Sequence, residues 1–331
     1  MRIMKRILVL LVTVVFIGCS KEESDNSNDV QGPTKYTLIL QQNIEEGGTI
    51  STNPYNGSDS SNQQFEEGTI VTITSHPNDE YEFEGWTGSV ESSDISIELV
   101  MDNNKSLTGN FIKSPPLFLD ENGVTIKCQD WVEVGSYYEL NGVLYEVIDE
   151  TLFGEYIDNP DYDFSKSVLK NVKEMECWFG DCPTPKPDYV KNFNQNISHW
   201  DTSSVTSMMG LFSNNEKFNQ DISNWDVSNV TDMGGMFYGP YTVFNRDISN
   251  WDVSKVENMS TVFTLNKTFN VDISTWDVSS VTNMYWMFYK SNFNQDLSNW
   301  DVSSVDNCKE FSKDTPQWTL PKPNFTNCNP N

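Results

Sequence analysis

The stretch FNQDISNWDVSNVTDMGGMF, residues 218–237, recurs almost letter for letter five times in the second half of this 331-residue chain. The copies begin at Phe193, Phe218, Phe244, Phe269 and Phe293, so the period runs 25, 26, 25 and 24 residues, with the length differences confined to the spacers. Regular self-similarity at such a period is the mark of stacked repeats, in which one unit cannot bury its own apolar face and its neighbours complete the core. A degraded copy at residues 163–179 precedes them. It has Phe164 at the place of Ile222, Val172 at Val230 and Met175 at Met233, and lacks the tryptophan. A terminal coil, with a neighbour on one side only, can dispense with it.

Each unit carries two periodicities. Residues 222–227, ISNWDV, place apolar side chains at the first, fourth and sixth positions, the L-x-x-L-x-L pattern of leucine-rich repeats. In a short strand Trp225 and Val227 share one face, with Asn224, Asp226 and Ser228 on the other. Residues 228–237 place Val230, Met233, Met236 and Phe237 at i, i+3, i+6 and i+7, one stripe of a short helix with Ser228 as N-cap. The expected fold is therefore an α/β leucine-rich-repeat solenoid, one short strand plus one short helix per coil of about 25 residues. It spans residues 163–312, with 313–331 as a C-terminal cap. The recurring Phe-Asn-x-Asp-Ile-Ser-x-Trp-Asp-x-Ser-x-Val string resembles the BspA-like leucine-rich group of bacterial surface-protein repeats. The resemblance implies cell-surface display and often adhesion or host-matrix binding, without naming a ligand.

The rest of the chain supports display outside the cell. Residues 1–18 set Arg2, Lys5 and Arg6 before an apolar run from Ile7 to Ile17, too short for a stable bilayer span and suited to a signal peptide. The closing Phe-Ile-Gly-Cys resembles the bacterial lipobox, which implies an outer-membrane lipoprotein lipidated, with palmitate among its acyl chains, at Cys19. The Ser-Lys-Glu-Glu-Ser that follows resembles the export signal of surface-displayed Bacteroidetes lipoproteins. Residues 19–34 read as a flexible tether. Residues 35–113 alternate at 37–40 and 71–74 as half-buried strands, with Gly, Asn and Pro at the turns. Their Gly68-Thr69, Phe83, Gly85-Trp86 and Phe111 resemble the divergent internalin B-repeat, a small β-grasp-like module that implies a spacer or weak binder. Residues 114–162 hold three strand-like stretches, GVTIKC, YYELN and VLYEVI, expected to cap the first coil.

Composition narrows the function further. A formal net charge of −27 turns the chain away from nucleic acid and anionic headgroups. The expected partner is an extracellular protein or glycan, the other readings being an accessory that captures polysaccharide and a structural spacer that binds nothing, and the membrane is reached only through the lipid anchor. No enzyme is expected. The two histidines, His76 and His199, both read as surface residues, and no P-loop, dinucleotide fingerprint or His-Glu-x-x-His string occurs. Of the five cysteines after Cys19, Cys308 and Cys328 can staple the C-terminal cap, Cys177 and Cys182 can pair across WFGD, and Cys128 is left over.

Three ladders remain. Trp200, Trp225, Trp251, Trp276 and Trp300 take core positions of the repeat, the other reading being an exposed strip for sugars. Asn194, Asn219, Asn245, Asn270 and Asn294 suit a structural amide ladder. Asp201, Asp226, Asp252, Asp277 and Asp301 face outward, where like charges in a row repel. Either each carboxylate accepts hydrogen bonds from nearby serines and backbone, or the column binds calcium together with Asp221, Asp247, Asp272 and Asp296. No other metal or cofactor is expected.

Overall fold

The computed structural model describes residues 32–56, 61–181 and 186–331. Cys19 and the signal and lipobox segments lie outside the described residues, as does Cys182. No helix among the described residues is long and apolar enough to cross a membrane. The chain forms two compact units, one of residues up to 76 with 83–110, the other of 77–82 with 111–331.

The N-terminal module is built from β1 (Lys35–Gln42), β2 (Gly48–Asn53), β3 (Asn62–Glu66), β4 (Ile70–Pro77), β5 (Tyr81–Gly88), β6 (Ser96–Val100) and β7 (Lys105–Lys113). They form two sheets, ordered β3-β1-β7-β5 and β2-β4-β6, with β1 and β7 parallel. Alternation does what it should here. Leu38 and Leu40 of β1 and Val71 and Ile73 of β4 point into a core shared with Phe65, Trp86 and Leu107. The Gly-Trp pair has a local cause. Gly85 holds φ at +146°, and a Cβ there would sit 2.7 Å from the Ser92 carbonyl oxygen, which accepts the Trp86 N–H. Trp86 is thereby turned inward and donates its indole N–H to the Asp94 carbonyl at 2.9 Å.

The second unit opens with β8 (Leu117–Leu119), β9 (Ile126–Cys128), β10 (Tyr137–Leu140), β11 (Val143–Ile148), α1 (Glu150–Tyr156) and β12 (Ser167–Leu169), and α2 (Asp188–Lys191) follows before the first full copy. β12 lies in the degraded copy, and β11 runs parallel beside it, pairing Val147 with Val168. This strand is the neighbour that the first coil would otherwise lack. At the missing tryptophan stands Ser167, fully buried, whose hydroxyl accepts the Trp200 indole N–H at 3.1 Å.

The full copies do stack, but not as an α/β leucine-rich-repeat solenoid. Residues 222–227 are not a strand and 228–237 are not a helix. Each coil is a chain of tight turns, and regular pairing shrinks to one parallel bridge per coil, in a row through Glu174, Ser207, Asp232, Asn258, Asn283 and Asn307. The cause is where the donors go. Met208, Gly210, Phe212 and Asn214 give their N–H groups to the carbonyls of Asp232, Gly234, Met236 and Tyr238 in the next coil. Of the N–H groups between them, Leu211 and Ser213 close i→i−3 turns on Met208 and Gly210, and Met209 donates to the Ser207 hydroxyl. A helix needs every donor for its own i−4 carbonyl. Here every second donor is given to the neighbouring coil, so no helix can form.

Side chains nonetheless divide as their spacing requires. Val230, Met233, Met236 and Phe237 are all buried. Two phenylalanine columns interleave along the stack: Phe212, Phe237 and Phe263 follow at 5.9 Å between ring centroids, and Phe212 lies 3.7 Å from Phe218 of the other column. Near-parallel offset rings add to their area burial. Both ends break the pattern. Phe153 of α1 stacks on Trp178 at 3.7 Å, and Trp318 meets Phe293 edge-on at 5.0 Å. A Cys308–Cys328 disulfide ties the last coil to the tail.

Candidate functional site

The tryptophan and asparagine ladders are structural. All five tryptophans are at most 5 % exposed. Trp225, Trp251, Trp276 and Trp300 donate their indole N–H to the carbonyls of Ile197, Ile222, Ile248 and Ile273 in the preceding coil. They are core and offer no sugar strip. The side-chain oxygens of Asn194, Asn219, Asn245 and Asn270 accept the backbone N–H of Asn219, Asn245, Asn270 and Asn294 in turn.

The aspartates turn the backbone. Asp201, Asp226, Asp252, Asp277 and Asp301 each accept the N–H of the serine two residues on, at 2.9–3.1 Å. Asp221, Asp247, Asp272 and Asp296 do the same one turn earlier. These Asx turns let a short side chain replace a backbone turn bond. Ser254, by its hydroxyl first and its N–H second, holds the Asp252 carboxyl below the usual carboxylate range. Ser279 does so for Asp277, against a smaller opposing push from Asp252 and Asp301 in the flanking coils. No group of three or more His, Cys, Asp and Glu side chains is placed to hold a metal ion among the described residues.

Other expected residues fall as follows. Cys177 is disulfide-bonded and Cys128 is a half-buried free thiol. His199 is not at the surface. It is 9 % exposed, its Nε2 lies 2.8 Å from the Ser167 carbonyl, and burial lowers its pKa.

What varies from copy to copy lies elsewhere, in the turns between the buried methionine and the residues after the phenylalanine. At one position the coils carry Met209, Gly234, Ser260, Tyr285 and Lys309, at the next Gly210, Gly235, Thr261, Trp286 and Glu310, and three further on Ser213, Tyr238, Thr264, Tyr289 and Lys313. The turn geometry forces the middle column into the left-handed region, with φ of +62° at Gly210, +65° at Gly235, +57° at Thr261, +55° at Trp286 and +54° at Glu310. Glycine occupies such a position without cost, whereas a β-branched or bulky residue is strained there, by about 1–3 kcal/mol. Three coils bear that strain to place a side chain on this face.

The result is a graded surface. Over the first full coils the glycines leave a cleft of about 320 Å³, walled by Met209, Tyr238, Asn258 and Thr261. Gly234 is needed there, because a Cβ would lie 2.8 Å from the Asn258 side-chain nitrogen, which is held by the Asp232 carboxylate. In the fourth copy Trp286 is stacked between Tyr285 at 4.8 Å and Tyr289 at 4.6 Å, and its indole N–H reaches Glu310 at 2.9 Å. Glu310 is in turn paired with Lys313 at 2.6 Å, which holds its carboxyl below the usual range. The Trp-Asp segment is nearly uniform among the full copies. The signal was present a few residues on, in the copy-to-copy change from Gly-Gly to Tyr-Trp.

Residues 161–254 and again 240–325 match a family described as Mycoplasma protein of unknown function, DUF285. Residues 40–115 match the divergent InlB B-repeat domain. No curated protein and no solved structure matches the chain. The N-terminal half thus carries a divergent InlB-type repeat module, and the coils are similar to a family without an assigned function.

Proposed function

We propose that this chain is a surface-anchored bacterial lipoprotein, held at the outer membrane through Cys19, whose coil stack binds an extracellular macromolecule. The single observation that carries the reading is Trp286, kept in a left-handed backbone conformation in the one coil that also places Tyr285 and Tyr289 around it. Strained residues of this kind gather at functional sites, and rigid aromatic groups dominate binding surfaces. The N-terminal module and the tether serve as a stalk.

The variable face suits a neutral or basic partner. Its cleft offers Ser, Thr, Asn and Tyr groups, and a chain of net charge −27 repels polyanions. Extracellular protein surfaces and neutral glycans both meet this description. The test is an array of glycans and matrix proteins probed with the secreted chain from residue 20 onward and with its Tyr285→Ala, Trp286→Ala, Tyr289→Ala variant. Loss of a ligand in this variant, and its retention in Asp226→Asn plus Asp252→Asn, supports the reading. Equal binding by the aromatic variant and the parent overturns it.

A further inference from the structure

Glu146 breaks the local rule of its strand. β11 reads VLYEVI, and a carboxylate in mid-strand is disfavoured unless something holds it. Glu146 is 5 % exposed. One carboxylate oxygen accepts the Tyr156 hydroxyl at 2.8 Å and the other the Tyr162 hydroxyl at 2.8 Å. Tyr137, its partner across β10–β11, stands beside the same carboxylate, which raises the Tyr137 pKa. That charge also pushes Tyr156 up to about 12, so the phenols remain donors.

An open cavity of about 510 Å³ lies against this group, lined among others by Tyr137, Val143, Leu144, Glu146 and Tyr162. Its rim is apolar and uncovered, with Tyr137 58 % and Leu144 55 % exposed. The cation at the edge, Lys166, is tied to Asp163 at 3.1 Å. Those two charges pair with each other, and no ion pair reaches Glu146 among the described residues. A buried charge without a countercharge is costly.

We propose that this cavity binds a quaternary ammonium group. An ionised carboxylate offers about four acceptor sites; each Glu146 oxygen already accepts one phenol and a third phenol stands beside them, so little is left for the donors of a primary ammonium. A methylated ammonium needs none. It takes its stabilisation from the charge and from aromatic faces, within about 6 Å of a ring, and its methyl groups fit a rim of Tyr, Val and Leu. The cavity belongs to the strands before the repeats and does not depend on the variable face of the coils.

The experiment is a calorimetric titration of the secreted chain with choline, a trimethyl-lysine peptide and phosphatidylcholine vesicles. The neutral isostere 3,3-dimethylbutanol and the unmethylated lysine peptide serve as controls. Saturable binding of at least one quaternary ligand is expected, at least tenfold tighter than its control. The tightest arm identifies the source as a free amine, a modified protein or a membrane. Glu146→Gln should weaken binding at least tenfold. Because that change can loosen the cap, Tyr137→Ala at the exposed rim is the second variant, expected to weaken binding severalfold with an unchanged melting temperature. No saturable binding, equal binding of the controls, or indifference to both substitutions overturns the proposal.

Discussion

Val71 and Ile73 in the N-terminal module and Trp225 and Val227 in the second full coil obey the same alternation, and all four are buried. Only the first pair lies in a strand. β4 is paired to β6 through five consecutive residues, from Ile70 with Val100 to Thr74 with Ser96. In the coil, Asp221 and Asp226 capture the N–H groups of Ser223 and Ser228 locally, and no continuous ladder forms. Alternation therefore reports which side chains are inward. Whether the backbone is a strand depends on who accepts its N–H groups.

The sharpest way to break the comparison is Trp251→Ala. A core column that runs through the coils predicts a loss of about 3–5 kcal/mol in chemical denaturation of the second unit. The transition of the N-terminal module should not move, as the two form separate compact units. A matching loss in both transitions would show that they unfold as one.

Next in size is Cys308→Ser with Cys328→Ser. The bridge spans a sequence separation of 20, and constraining a loop of that order stabilises by about 3 kcal/mol. The loss should fray the last coil first, read as faster amide exchange in residues 300–331 than in 193–218. Uniform exchange along the stack would mean the tail does not cap it.

The Asx turns come third. Asp226→Ala should cost about 1 kcal/mol, the worth of one local hydrogen bond, whereas Asp226→Asn keeps the acceptor and should cost little. Calcium should not change either result. The same turns set an acid limit. The Asp252 and Asp277 carboxyls are lowered in the folded state, so their contribution is present above the unfolded value near 3.9. It is lost as pH falls through the folded values. A stability profile flat from pH 5 down to pH 2 would contradict this. The module's β4 and β6, with no Asx-turn column, provide the internal control.

The smallest effect is the most specific. Thr261→Gly removes a left-handed penalty of about 1–2 kcal/mol and adds about 0.5–1 kcal/mol of glycine entropy. The net expectation is a gain of about 0.5 kcal/mol in unfolding free energy, read as a higher denaturant midpoint. A loss would show that the Thr261 side chain carries stability and was not retained for its surface.

Much was legible before any coordinates. The repeat period, the buried columns through Phe218, Trp225, Val230 and Met233, and the Asn ladder all follow from side-chain chemistry at a fixed spacing. So does the resemblance of the first module, which rests on the spacing of Gly68-Thr69, Phe83, Gly85-Trp86 and Phe111. These features are local or recur in every copy, and a sequence displays both kinds directly. The course of the backbone could not be read the same way. Each coil sends half of the donors in its turns to carbonyls about one repeat away, and no window of a dozen residues contains both partners. The expected helix failed for that reason, and so did the surface position of His199, which packs on Ser167 of the preceding coil. Tertiary structure alone brought Tyr137, Tyr156 and Tyr162 around Glu146, and it alone set Trp286 in a left-handed turn between two tyrosines. Both arrangements depend on contacts that exist only once strands and coils lie side by side.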